Sequence, residues 1–282
     1  MKRIIVFLIS AVAAASAAFA ASTLPVREAY HEFSEFNSLN INGSLNVRVV
    51  PSNQYSILIK ADDNLQNYIE SYVREKTLYV VYKEGDVPRD VKKVYKGKDA
   101  PTPTLDVTVS VPSLSSVNIV GGYLVIDEIQ SSDTFTINAG KDATARIKLA
   151  SDNINITTAD NANIKLNHTC SNLNLTTDGK SVIVADGRCS STDARLNGSS
   201  RVNMTGSSPS LKLSTARSSV FEALNLENAS ASVTAKGGTA TVSPQSELTL
   251  DMDGGTVFFF GEPTINVVKI HRASLAPYGV KL

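Results

Sequence analysis

Tryptophan is absent from the 282 residues, cysteine occurs twice and histidine three times. His31, His168 and His271 lie far apart, and no His or Cys pair has the spacing of a zinc motif. The sequence therefore offers no metal-ligand set, and it carries no cofactor motif. It also lacks an excess of one charge. The 27 Lys and Arg balance 27 Asp and Glu, which excludes the electrostatic footprint of a nucleic-acid binder. After Ala20 no apolar run is long enough to span a bilayer. Tyrosine thins out along the chain, with only Tyr278 beyond Tyr123, so the second half is poor in the aromatic platforms of many sugar sites.

What fills that second half is a repeat. From Ser131 to Gly261, blocks of about twenty residues each carry a small turn, such as Asn138-Ala139-Gly140-Lys141, Thr158-Ala159-Asp160-Asn161, Thr177-Asp178-Gly179-Lys180 and Asn197-Gly198-Ser199-Ser200. Short alternating runs flank each turn: Ile154/Ile156 before and Ile164/Leu166 after, Leu173/Leu175 before and Val182/Val184 after. Apolar residues two apart with polar partners between them mark a strand with one buried face. One such block cannot bury its own apolar face, but stacked blocks can. The pattern predicts an all-β, right-handed parallel β-helix with one short helix in its first half. A β-sandwich of short strands is the alternative.

In chain order, Met1–Ala20 reads as a secretory signal: basic Lys2-Arg3, apolar Ile4 to Ala15, then Ala18-Phe19-Ala20 as a small-x-small cleavage site. No Cys lies near the cleavage point, so this is not a lipoprotein signal. The chain is expected to be exported, to the periplasm or the cell surface, as a single domain over residues 21–282. Residues 24–122 form an irregular first half, 123–261 the regular coils, and 262–282 a C-terminal cap. In the first half Leu65, Tyr68, Ile69, Tyr72 and Val73 fall at helical spacing, which predicts an amphipathic helix over Asp63–Arg74. Lys83 to Thr104 is a long loop. Its cluster Lys92, Lys93, Tyr95, Lys96 and Lys98 is the candidate ligand-binding tip, suited to an acidic partner such as an anionic glycan.

The order of elements resembles a known family. Phe33 and Phe36 precede a Gly turn, a strand ends in Leu78-Tyr79-Val80, and Val109-Ser110-Val111-Pro112-Ser113-Leu114 leads to Gly121-Gly122 and short rungs. Over about residues 30 to 260 this is similar to the bacterial family described as putative auto-transporter adhesin, head GIN domain. The literal tripeptide Gly-Ile-Asn does not occur. The resemblance implies an exported β-helical domain with an adhesive role.

No enzyme constellation stands out. Asp160, Asp178, Asp186, Asp193, Asp251 and Asp253 are candidate acids, but Asp is also an ordinary turn residue. The reading is a non-catalytic, adhesin-like or cell-envelope interaction module for a glycan or a protein of the envelope or host. A polysaccharide-active enzyme and a purely structural envelope protein are the alternatives, and homo-oligomerisation stays open. Cys170 and Cys189 are about one coil apart and each is followed by Ser. Stacking sets neighbouring strands about 4.7–4.9 Å apart, within the Cα separation a disulfide accepts. A structural Cys170–Cys189 bridge is therefore expected in an oxidising compartment.

Overall fold

The computed structural model describes residues 24–279. The leader expected at residues 1–20 lies outside them. The chain is nearly all β, a solenoid of about eight turns. Its strands are β1 (Val26–Glu32), β2 (Ser38–Asn42), β3 (Asn46–Pro51), β4 (Ser56–Asp62), β5 (Ile69–Arg74), β6 (Thr77–Tyr82), β7 (Leu105–Val111) and β8 (Ser113–Val120). The regular part follows as β9 (Tyr123–Gly140), β10 (Thr144–Ala150), β11 (Asn153–Thr158), β12 (Asn163–Thr169), β13 (Asn172–Thr177), β14 (Val182–Arg188), β15 (Ser191–Leu196) and β16 (Arg201–Ser207). It ends with β17 (Ser210–Glu222), β18 (Leu226–Val242), β19 (Pro244–Asp253), β20 (Thr256–Phe259), β21 (Thr264–His271) and β22 (Ser274–Pro277).

Each regular coil supplies two strand segments, and copies one coil apart pair in parallel. In one column Phe135, Ile154, Leu173, Thr192, Leu211, Ala231 and Leu248 are successive partners. In the other, Leu124, Ala145, Ile164, Ile183, Val202, Phe221, Ala240 and Val257 follow one another. None of these side chains is more than 2% exposed. Each fully buried Ile or Leu stabilises the stack by about 1.5–3 kcal/mol. Ile156, Leu175 and Leu213 point inward and stack as expected. Parallel pairing between consecutive coils excludes the sandwich, whose sheets are antiparallel.

The turns line one edge. Lys141, Asp160, Gly179, Gly198 and Arg217 all have positive φ at equivalent places in successive coils. Three of these five are not glycine, so no invariant residue marks the bend. The register differs by one from the spacing of the turns in the sequence at two points: Ala139, not Asn138, pairs with Thr158, and Leu196, not Asn197, pairs with Thr177. Asp160 and Asp178 are likewise not equivalent, because the left-handed position of Asp160 is taken by Gly179 in the next coil.

The first half is the same solenoid interrupted. β2 and β3 form its first coil, pairing in parallel with β8 and β9. Between them the chain makes an excursion whose strands β6 and β7 add parallel rungs on the outer side. Antiparallel strands then close that end: β5 on β6, β4 on β7, and β1 on β4. The helix expected over Asp63–Arg74 does not form. Only a single 3-10 turn, Gln66–Tyr68, follows Leu65, and Ile69–Arg74 is strand. The sequence there satisfies both periods, but Ile69 and Tyr72 to Val73 favour strand, and Glu75 and Lys76 adopt the paired positive φ of a type I′ hairpin. Tyr72 then stacks on Tyr79 across the hairpin, with ring centroids 5.0 Å apart. The one α-helix among the described residues, α1 (Arg89–Val94), lies instead in the Lys-rich loop.

Candidate functional site

The regular coils carry an exposed polar array on one column. Outward residues there are short and stack in register: Asn153 on Asn172 on Ser191, and Asn155 on Asn174 on Asp193. Asn172 donates to Asn153 Oδ1 at 2.8 Å, Ser191 donates to Asn172 Oδ1 at 2.8 Å, and Asn174 donates to Asn155 Oδ1 at 2.8 Å. Each bond joins residues 19 apart, the repeat length. The result is a flat sheet of amide and hydroxyl groups at rung spacing, about 4.8 Å.

The candidate acids do not gather there. Asp160 accepts the backbone N–H of Lys141 at 3.1 Å, and Asp178 accepts that of Gly179 at 2.7 Å, so both shape turns. Asp193 pairs with Arg195 at 2.8 Å, and Asp186, on the other column, accepts from Thr205 at 2.6 Å. Asp253 receives Lys269 Nζ at 2.8 Å and His271 Nδ1 at 2.7 Å, which hold its carboxyl down at about 2.

The Lys-rich loop divides into two roles. Lys93, Lys96 and Lys98 are exposed and Lys92 is half-buried, and none of the four makes an ion pair among the described residues. Tyr95 faces the other way. Its hydroxyl lies 2.9 Å from Asp62 Oδ2 and 2.7 Å from Asn64 Oδ1, and burial with the Asp62 bond raises its pKa. Asp62 is fully buried, and Oδ2 also accepts the Thr104 N–H at 3.3 Å. Tyr95 thus pins the loop to the end of β4. A cleft of about 680 Å³ opens where the first half meets the coils, lined by Tyr82, Lys83, Tyr123, Lys141 and Asp142 among others.

Cys170 and Cys189 stand at the corner between the columns, one above the other. Cys170 N–H donates to the Arg188 carbonyl and Cys189 N–H to the Ser207 carbonyl, the same bond one coil later. Both are free thiols. A third residue joins them, one that its sequence position did not mark out. His168 points inward from β12 and is 3% exposed. One donor atom from each of His168, Cys170 and Cys189 lies within 4.8 Å of the others. The Cys170 thiol hydrogen-bonds Cys189 and lowers its pKa, and the Ser208 and Thr192 hydroxyls act the same way against the cost of burial. Cys170 is raised in turn, by that bond and by burial. The Thr192 hydroxyl is 3.2 Å from Cys189 Sγ and 2.9 Å from Ser208 Oγ. Thr192 occupies a rung whose neighbours are Leu173 and Leu211. That polar break in an apolar ladder, and His168 two residues before Cys170, are the signals that could have revealed the cluster.

Among the described residues no helix is long and apolar enough to cross a membrane. No curated protein matches the chain. Solved structures do share its fold. A putative adhesin from Parabacteroides merdae ATCC 43184 is 14% identical, with a TM-score of 0.57 over 90% of this chain and 98% of that one. A putative adhesin from Parabacteroides distasonis ATCC 8503 is 16% identical, with a TM-score of 0.61 over 90% and 97%. A putative lipid binding protein from the same organism is 15% identical, with a TM-score of 0.62 over 90% and 98%. Residues 35–188, from the irregular first half through the coil that ends just before Cys189, match the family model itself, and the chain belongs to the family described as putative auto-transporter adhesin, head GIN domain.

Proposed function

We propose that the protein is an exported, non-catalytic adhesin-like module that binds a glycan or a protein of the envelope or host. The observation that carries this reading is the polar array of Asn153, Asn155, Asn172, Asn174 and Ser191, a rigid and repeating set of donors and acceptors. Such a surface suits a ligand that itself repeats and is rich in hydroxyl groups. Family membership and the fold shared with putative adhesins support the same class. An enzyme on polysaccharide would need carboxylates converging in one groove. Here the candidate acids are spread over turns and both columns, and Asp160, Asp178, Asp186, Asp193 and Asp253 each have their own partner.

Lys92, Lys93, Lys96 and Lys98 add a basic tip at the capped end for an anionic part of the ligand, while Tyr95 anchors that tip. A Cys170–Cys189 bridge, formed when a disulfide oxidant of the exporting compartment takes two electrons and two protons leave, would clamp two coils. The stacking of the pair puts the two sulfurs within reach of such a bridge, which forms only where nothing else holds them. The function is tested by screening residues 21–282 against glycan and matrix-protein arrays, then repeating each hit with Asn155→Arg/Asn174→Arg. Loss of binding with unchanged circular dichroism is expected. A hit that survives both substitutions overturns the polar array as the binding face.

A further inference from the structure

The cluster of His168, Cys170 and Cys189 has a chemistry that neither adhesion nor a disulfide uses. The His168 side chain is buried, and neither ring nitrogen has a hydrogen-bond partner. A buried polar group left without a partner costs about 1–3 kcal/mol. The paired position in the next coil is Gly187, where a Cβ would meet the His168 carbonyl oxygen at 2.0 Å and its ring Nδ1 at 2.8 Å, so backbone and ring together leave space for glycine alone. In the preceding coil the same position is Leu149, so an apolar side chain would serve if packing were the only demand.

We propose that His168, Cys170 and Cys189 form a binding site for a thiophilic divalent ion of the zinc class. Two thiolates and an imidazole are the donors such ions prefer. Two Zn–S bonds of about 2.3 Å at a tetrahedral angle hold their sulfurs about 3.8 Å apart, within the span of these donor atoms. Charge selects the ion. Two Cys lose their protons to solvent on binding, His168 gives a neutral nitrogen lone pair, and a divalent ion brings the buried site to zero net charge. A monovalent ion on the same three donors would leave a negative charge in the core, which is costly. Thr192, 3.2 Å from Cys189 Sγ, supplies the hydrogen bond that such sulfurs receive from a neighbouring shell. Access exists on the Cys170 side: that residue lines an open surface depression of about 440 Å³ with Ser171, Thr169 and Asp152. Solvent reaching through it provides the fourth ligand.

The metal and the bridge compete for the same two sulfurs, and His168 decides between them, because a disulfide leaves the ring as unpartnered as before. The test uses the exported chain purified without chelator. Thiols are alkylated at lysis and counted by mass spectrometry, and the reduced protein is titrated with Co(II), then Zn(II). The expected result is two alkylatable thiols, one Co(II) per chain with intense thiolate charge-transfer and tetrahedral d–d absorption, and displacement by Zn(II). His168→Leu, which copies the side chain that Leu149 places one coil earlier, should fold, keep both thiols and bind Co(II) at least ten-fold more weakly. Cys189→Ser should abolish the charge-transfer band. A Cys170–Cys189 disulfide in the quenched sample, no one-to-one Co(II) complex, or a Co(II) spectrum and affinity unchanged by His168→Leu would each overturn the site.

Discussion

The two halves of this molecule build the same ladders by different routes. In the central coils each rung contacts a rung 19 residues away, as in Asn163 to Val182 and Asn172 to Ser191. In the first half the bonds that hold equivalent rungs join residues 60, 78 and 79 apart, as in Asn46 to Asp106, Ser116 to Ser38 and Arg48 to Asp127. Closing a loop four times longer costs about 1.2 kcal/mol more. The coils can propagate from any neighbour already formed, whereas the first half must assemble several distant strands at once. The difference in outcome is a capped end. Antiparallel β1, β4 and β5 cover the first rungs, while at the other end β21 lies exposed along its whole length, with Val268 72% exposed.

The largest effect should come from breaking a coil. Ile164→Ala removes a fully buried side chain from the middle of a ladder and should cost about 2–5 kcal/mol. Because each coil leans only on its neighbours, denaturation should split into two transitions. Ile57→Ala, equally buried but in the antiparallel cap, should destabilise the first half and leave the coils to melt as before. Urea unfolding followed by hydrogen exchange checks both. A single shared transition in each variant would show that the halves do not behave differently.

The junction comes next. Gly122 has φ +76°, and a Cβ there would lie 2.5 Å from the Leu45 carbonyl oxygen and 2.7 Å from that of Gly43. Gly122→Ala therefore strains the backbone and pushes the first coil off the second. Left-handed strain of about 1–2 kcal/mol and overpacking of about 1–3 kcal/mol predict a loss of about 2–5 kcal/mol. Differential scanning calorimetry should show the two halves melting further apart than in the wild type.

This contrast also explains what could be read from the sequence. The coils were legible because period, alternation and turn recur together, so errors of one residue at Asn138 and Asn197 did not disturb the ladders. The cysteine pair was legible for the same reason. His168 was not, because a zinc motif is sought as a short spacing, whereas here one ligand arrives a full repeat later. In the first half Leu65 to Val73 fits a helical period and a strand equally well. Only the pairing partner β6, supplied through a hairpin at Glu75-Lys76 without the usual Asn-Gly signal, decides between them. Tyr95 looked like part of a basic surface because its buried partner Asp62 is 33 residues away.

A smaller effect should follow from Tyr95→Phe. The change deletes a donor to Asp62, whose other oxygen has no partner, and should cost about 1–3 kcal/mol. The loss should be local to the first half. Limited proteolysis should cut the segment 83–104 faster in the variant, while hydrogen exchange in β11 to β16 stays unchanged. Equal proteolysis rates would mean that the hydroxyl does not hold the loop.

The smallest effect concerns acid and the exposed end. Asp253 closes β19, and Lys269 and His271 of β21 both donate to it. Lys269 first and His271 second lower its carboxyl from 3.8 to about 2. A carboxyl whose folded value is depressed stabilises the folded state above its ordinary value and ceases to do so as pH falls through its folded value. The window is therefore pH 4 down to 2. The groups are exposed and salt screens them, so the contribution is confined to the last rung and should shrink at high ionic strength. Amide exchange in β21 should accelerate through that window relative to the rest of the stack. Lys269→Gln removes the stronger of the two donors, returns the carboxyl toward 3.8 and should start the loosening nearer pH 4. If β21 exchanges alike in both proteins, its attachment rests on its parallel pairing with β19 alone, and the exposed end is held by the same ladder bonds as every inner coil.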